Sequence, residues 1–248
     1  MTLPGALREF AAATTRGLRR ACNEDALAAA GHLITGEVTA PVHGALGAGR
    51  TEAFVVSDGV GSRAHGARAS REVVAGIVAE LASLADPQGC VDAVRRTNLR
   101  LHEVMLRQPE TVGMAATVAG VALSGAQACW FNVGDSRVYR MSAAGLEQLS
   151  VDDTAAPAGA ACATSHTLLR SLGGQRAIAP VRPHVGRGTL TAGDRLLLCS
   201  DGLWNMLPDR GIAAILEARR EAVAAVQGLL DAALGAGGRD NVSILLVQ

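Results

Sequence analysis

The sequence predicts a mixed α+β fold, because strand-like runs come in blocks and helical periodicity falls in paired stretches between them. The strand-like runs are "EAFVVSD" (52–58), "ATVAGVAL" (116–123), "ACWFNVG" (128–134), "SRVYRM" (136–141), "DRLLLCSD" (194–201) and "NVSILLVQ" (241–248). Helical spacing is clearest where Val73, Val74, Ile77, Val78, Leu81 and Leu84 recur at steps of three and four, and weaker across 91–106 and 211–234. The links "SGAQ" (124–127) and "SAAG" (142–145) are short, so their flanking strands are expected to pair antiparallel.

The chain has 248 residues, 49% hydrophobic and 19% charged, the balance of a globular protein long enough for one large core. A single domain spanning 1–248 is expected. Aromatics are only 2%, so Ala, Val and Leu must fill the interior. Lys plus Arg equals Asp plus Glu at 23 each, which leaves no overall field to draw in nucleic acid or an anionic membrane. No run reaches the roughly 18–20 apolar residues of a membrane span, and the N-terminus lacks a signal-type segment, so a cytoplasmic protein is expected. The five cysteines, Cys22, Cys90, Cys129, Cys162 and Cys199, never form C-x-x-C and are expected to be reduced, small core residues. The six histidines show no H-x-H or H-x-x-x-H spacing and are expected on the surface or satisfied in the core.

Chemistry is concentrated in aspartates. Asp58, Asp135 and Asp201 each end a short apolar run directly or one glycine later. Alone, each Asp-Gly would read as a turn. The stretch "GALGAGRT" (44–51) nearly spells a phosphate-binding loop, but the strand ending at Asp58 follows too soon to leave room for the helix such a loop needs. It is therefore read as a hairpin loop.

A metal cluster explains the aspartates better. Asp58 and Asp201 fall at strand ends and Asp240 at a strand start, positions that share an edge in an antiparallel sheet. Glu24 and Asp25 precede another apolar stretch in the same sense. Carboxylates gathered this way repel unless a cation lies among them, and an all-oxygen set suits Mg2+ or Mn2+. Two such ions clamp the oxygens of an in-line displacement at phosphorus, which points to phosphate ester hydrolysis.

In this order the motifs resemble the PPM (type 2C) family of metal-dependent serine/threonine protein phosphatases, bacterial type. The residues are "RACNED" (20–25), "SDGVGS" (57–62), "GMAAT" (113–117), "GDSR" (134–137), "CSDGLWN" (199–205) and "GRDNVS" (238–243). The resemblance implies a four-layer sandwich, two central antiparallel β-sheets flanked by pairs of α-helices. It implies that Asp58 bridges two metals, that the Gly59 carbonyl ligates the first, and that Asp201 and Asp240 hold the second. Glu24 and Asp25 would act through waters of the metal shell, Arg20 would bind the substrate phosphate, and Asp135 would share a third ion with Asp201. The implied cofactors are two or three Mn2+ or Mg2+ ions. The implied partners are phosphoproteins and a cognate serine/threonine kinase, with a monomer expected.

The chain also departs from the family pattern. Val60 stands where many members have a histidine proposed as general acid, so either a metal-bound water must protonate the leaving alkoxide or the step goes unassisted. Ser62 replaces a glycine, and Ala115 and Ala116 replace Gly and Thr, which should alter packing under the site and not ligation. The flap segment after "DDT" (152–154) is short and bland. A regulatory module with the same fold and no catalysis is the alternative, and it would be expected to have lost carboxylates that are retained here.

Overall fold

The computed structural model describes residues 8–47, 49–60, 65–155, 167–174 and 177–248. In chain order the first elements are β1 (Glu9–Thr15), β2 (Ala26–Ala29), β3 (His32–Thr35), β4 (Val38–Ala45), β5 (Thr51–Ser57) and the two-residue β6 (Gly59–Val60). Helices α1 (Gly66–Ala79) and α2 (Pro87–Arg107) follow. Next come β7 (Ala115–Ala116), β8 (Val118–Ser124), β9 (Gln127–Val133), β10 (Arg137–Ser142) and β11 (Gly145–Gln148). Three two-residue strands, β12 (Thr154–Ala155), β13 (Thr167–Leu168) and β14 (Leu172–Gly173), lead to β15 (His184–Thr189) and β16 (Arg195–Cys199). The last elements are α3 (Asp201–Trp204), α4 (Asp209–Ala218), α5 (Ala222–Gly235) and β17 (Val242–Val247).

Two six-stranded antiparallel sheets form the centre, ordered β11-β10-β16-β17-β1-β4 and β15-β9-β8-β5-β2-β3. Alternation along each strand divides its side chains between two cores. In β5, Phe54 and Val56 enter the inter-sheet cluster with Leu27, Val121, Leu198 and Leu245. Ala53 and Val55 of the same strand turn outward to Val73, Val74, Ile77, Val94 and Leu101 of α1 and α2. In β17, Leu245 and Val247 face the other sheet, while Val242, Ile244 and Leu246 meet Ile212, Val226 and Leu229 of α4 and α5. Strands covered on both faces read as unbroken apolar runs, which is why these were legible in the sequence. The four-layer sandwich is thus the observed architecture.

Helix α2 starts where its sequence says it should. The Asp86 carboxylate accepts hydrogen bonds from the amides of Gln88 (2.9 Å) and Gly89 (3.1 Å), and Pro87 opens the first turn.

One expectation fails: residues 44–51 do not close a hairpin. β4 pairs with β1 and β5 pairs with β2 and β8, so the segment carries the chain from one sheet to the other. Cys90, Cys129 and Cys199 are buried free thiols as expected, but Cys22 is exposed. Burial pushes the Cys90 thiol up to about 12. Cys162 and Ser62 lie outside the described residues, as does most of the flap segment. Among the described residues no helix is long and apolar enough to cross a membrane.

Candidate metal centre

The register of both sheets delivers the acidic residues to one rim. In one sheet Cys199 at the end of β16 lies opposite Ile244 of β17, and Thr15 at the end of β1 lies opposite Val242. This places Asp201, the first residue of α3, beside Asp240, two residues before β17. In the other sheet Ala26 at the start of β2 lies opposite Ser57 at the end of β5, so Asp25 and Asp58 are neighbours. Asp135 sits in the turn between β9 and β10.

Hydrogen bonds bind these pieces together. Ser200 Oγ donates to Asp25 Oδ2 (2.8 Å) and accepts from the amide of Ser243 (3.0 Å), tying one sheet's end to the other sheet's acid. The Asp58 amide donates to Thr117 Oγ1 (3.0 Å), the Thr117 amide donates to the Asp58 carbonyl (2.9 Å), and Thr117 Oγ1 meets Ser136 Oγ at 2.7 Å. Trp204 Nε1 donates to the Asp135 carbonyl (3.0 Å), and the Arg137 guanidinium stacks 3.8 Å from the centre of the Trp204 ring. Asn241 Oδ1 accepts from the Glu24 amide (2.9 Å), while its Nδ2 donates to the carbonyls of Cys22 (2.9 Å) and Arg16 (3.2 Å).

Gly59 is required by crowding: a Cβ there would come within 2.3 Å of the Gly66 backbone and 2.7 Å of the Glu24 carbonyl oxygen. The Glu24 carboxylate is packed just as closely, its Oε1 only 2.7 Å from where a Cβ on Gly66 would stand. Ala115 and Ala116 pair with Val60 and Gly59, buried under the loop, in keeping with a packing role. Val60 puts no titratable group at its position in the loop.

Electrostatically this rim is strained. Burial, and then the charges of Asp25, Asp201, Asp135 and Asp240, raise Asp58 well above the usual carboxylate range. Burial, with Asp135, Asp240 and Asp25 adding to it, pushes Asp201 up to about 8. Asp25 rises to about 6, chiefly through burial, against the opposing hydrogen bonds from Ser243 and Ser200. Arg20 answers part of this field: its Nη2 lies 2.5 Å from Asp240 Oδ2, and that bond raises the guanidinium pKa further.

The donor set fits a hard divalent cation. Asp25 Oδ1 and Asp201 Oδ1 are buried without a hydrogen-bond partner among the described residues, a costly condition that a bound cation relieves. Among the described residues no three His, Cys, Asp or Glu side chains stand together as a closed metal cage. Thr117, Ser136, Ser200, Asn241 and Trp204 were not singled out from sequence. Their signal lay in the motifs themselves, as the polar and aromatic residues interleaved with the acids.

A two-sheet sandwich with helix pairs outside and a ring of carboxylates where both sheets end has the architecture of a metal-dependent phosphate hydrolase. The family pattern described as Protein phosphatase 2C matches residues 31–236, and the chain belongs to that family. It is 30% identical over 257 residues to the serine/threonine protein phosphatase PstP of Mycobacterium tuberculosis, covering 96% of this chain and 44% of PstP. The chain thus spans less than half the length of that relative. To the serine/threonine phosphatase Stp of Listeria monocytogenes it is 28% identical over 212 residues, 78% of this chain and 83% of Stp. The crystal structure of the PstP catalytic domain in complex with two manganese ions superposes with a TM-score of 0.78 at 28% identity, covering 98% of both chains.

Proposed function

We propose that this chain hydrolyses phosphoserine and phosphothreonine on proteins, reversing a serine/threonine kinase, as a cytoplasmic monomer. The observation that carries the reading is the set of mutually repelling carboxylates on one rim, two of them with buried oxygens that have no partner among the described residues. Asp58, the Gly59 carbonyl, Asp201 and Asp240 would hold two Mn2+ or Mg2+ ions, supported by Glu24 and Asp25, with Asp135 and Asp201 offering a third position. When bound, such ions activate water and clamp the attacking and leaving oxygens of the displacement at phosphorus.

The protein's own groups do the rest. Arg20 is half-exposed and, among the described residues, is held by Asp240, so its guanidinium can turn and bond two phosphate oxygens. Ser200 and Asn241 hold Asp25 and the Glu24 backbone in place through the bonds described above. With Val60 in the loop, the leaving alkoxide takes its proton from water. The catalytically silent alternative has no observation in its favour, since Asp58, Asp201 and Asp240 are all present.

The test is release of inorganic phosphate from a phosphothreonine peptide with manganese and with EDTA. Release that needs the metal and falls at least about 100-fold in Asp201→Asn is expected for the loss of a ligand to a catalytic ion. No release with any divalent metal, or equal release by both proteins, would overturn the assignment.

A further inference from the structure

One more buried acid lies next to the turn that carries Asp135: only 6% of the Asp153 side chain is exposed. A carboxylate buried this far is costly unless both oxygens are paired, and here both are. Oδ2 accepts from the Gly134 amide (3.1 Å), while Oδ1 lies 3.0 Å from His184 Nε2 and 3.3 Å from Arg170 Nη1. The backbone repeats the connection. The Asp153 amide donates to the Gly134 carbonyl (3.0 Å), and the Asp153 carbonyl accepts from the Leu169 amide (2.8 Å).

Gly134 is where this grip reaches the metal centre. It precedes Asp135, has a φ of +100°, and sits so close to Thr117 that a Cβ would come within 2.7 Å of the threonine side chain. Thr117 Oγ1 in turn accepts from the Asp58 amide. On the other side of the turn, Trp204 Nε1 holds the Asp135 carbonyl. Of the charges that act on Asp201, that of Asp135 is the largest. The segment that carries Asp153 is itself fixed, because the side chain of Asn132 in β9 donates to the Val151 carbonyl (2.7 Å) and accepts from the Val151 amide (3.2 Å). His184 opens β15 directly opposite Asn132. Removing the Asp153 carboxylate would take this acceptor from the buried Gly134 amide, a loss that favours a shift of the turn.

We propose that Asp153 is a positioning residue for Asp135. By holding the Gly134 amide, with His184 and Arg170 fixing its other oxygen, it sets where the Asp135 carboxylate stands relative to Asp201, and so how tightly that pair holds its ion. The inference rests on the reading of Asp135 and Asp201 as an ion position.

Two measurements on the full chain test it: calorimetric titration with Mn2+, and phosphate release from a phosphothreonine peptide. The ion in question is the one whose binding Asp135→Asn weakens. Asp153→Ala should weaken that same ion at least about tenfold and lower kcat by a similar factor, the usual effect of removing a group that orients a metal ligand. KM should stay within about twofold, since substrate binding is untouched. Asp153→Asn, whose side-chain oxygen can still accept from Gly134, should recover most of both losses. Asp153→Ala added to Asp135→Asn should cost nothing further, because the one acts through the other. The pair His184→Gln and Arg170→Gln, made at two partly exposed positions, should move both readouts in the same direction to a smaller degree. Folding of each variant is checked by circular dichroism, and if Asp153→Ala does not fold the test falls on this pair. An active wild type with unchanged ion affinity and kcat in the folded variants, an Asp153→Asn as impaired as Asp153→Ala, additive losses with Asp135→Asn, or no ion weakened by Asp135→Asn would overturn this proposal and leave the phosphatase assignment standing. A wild type with no metal-dependent release would overturn both.

Discussion

Asp201 and Asp25 are acids whose folded-state pKa values, about 8 and about 6, lie above the ordinary carboxylate value, chiefly because they are buried. The folded, metal-free protein therefore binds more protons than the unfolded chain over this interval. The stability from these groups is complete at low pH and is lost as pH rises through their folded values. Chemical denaturation in EDTA should show a loss of more than about 1 kcal/mol between about pH 5 and about pH 9. Manganese should restore it at the alkaline end, because it binds only the folded site; stability flat across that range would contradict the burial of these acids. Arg20 behaves differently, because its ion pair with Asp240 is exposed and worth under about 1 kcal/mol. Arg20→Ala should leave the melting temperature within about 2 °C, given so small a contribution. The KM for a phosphopeptide should rise about tenfold, the effect of losing one charge-assisted phosphate contact.

Helices and strands differ in how openly their sequences declare them. Removing the Asp86 carboxylate leaves the first amides of α2 unpaired, so Asp86→Ala should lower unfolding free energy by about 1 kcal/mol in urea titration. The six strand runs named from sequence all appear, within a few residues at each end, because both faces of each are buried. β4, "VTAPVHGA", was not legible: exposed residues dominate it and it carries a proline, as befits a sheet edge. β1, "EFAAATT", is buried yet Ala-rich, so its small side chains carry little strand signal. β15, "HVGRGT", is another half-covered edge with two glycines. The mistaken hairpin at 44–51 has the same root, since with β1 and β4 unseen nothing in the sequence revealed that β5 belongs to the other sheet. The acids were legible because each interrupts an apolar run. The serines, Thr117 and Asn241 that hold them were not, because their partners lie across the fold.

At the scale of the molecule, the centre depends on two sheets meeting in register. Glu24 and Asp25 come from one end of the chain and Asp240 from the other, and Phe10 and Phe54, 6.1 Å apart, link the sheets between them. We therefore infer one folding unit. Trp130 in β9 and Trp204 in α3 report on opposite sheets, so single-tryptophan variants made with Phe at the other position should unfold at the same denaturant concentration. Two separated transitions would divide the chain into independent halves. The claim on which everything else rests is that carboxylates from both sheets form one metal site. Calorimetric titration with Mn2+ measures this directly: at least two ions per chain are expected for the wild type, and loss of that binding is expected in Asp58→Asn. A chain that binds no manganese, or an Asp58→Asn variant that binds it with unchanged stoichiometry and affinity, would contradict the account.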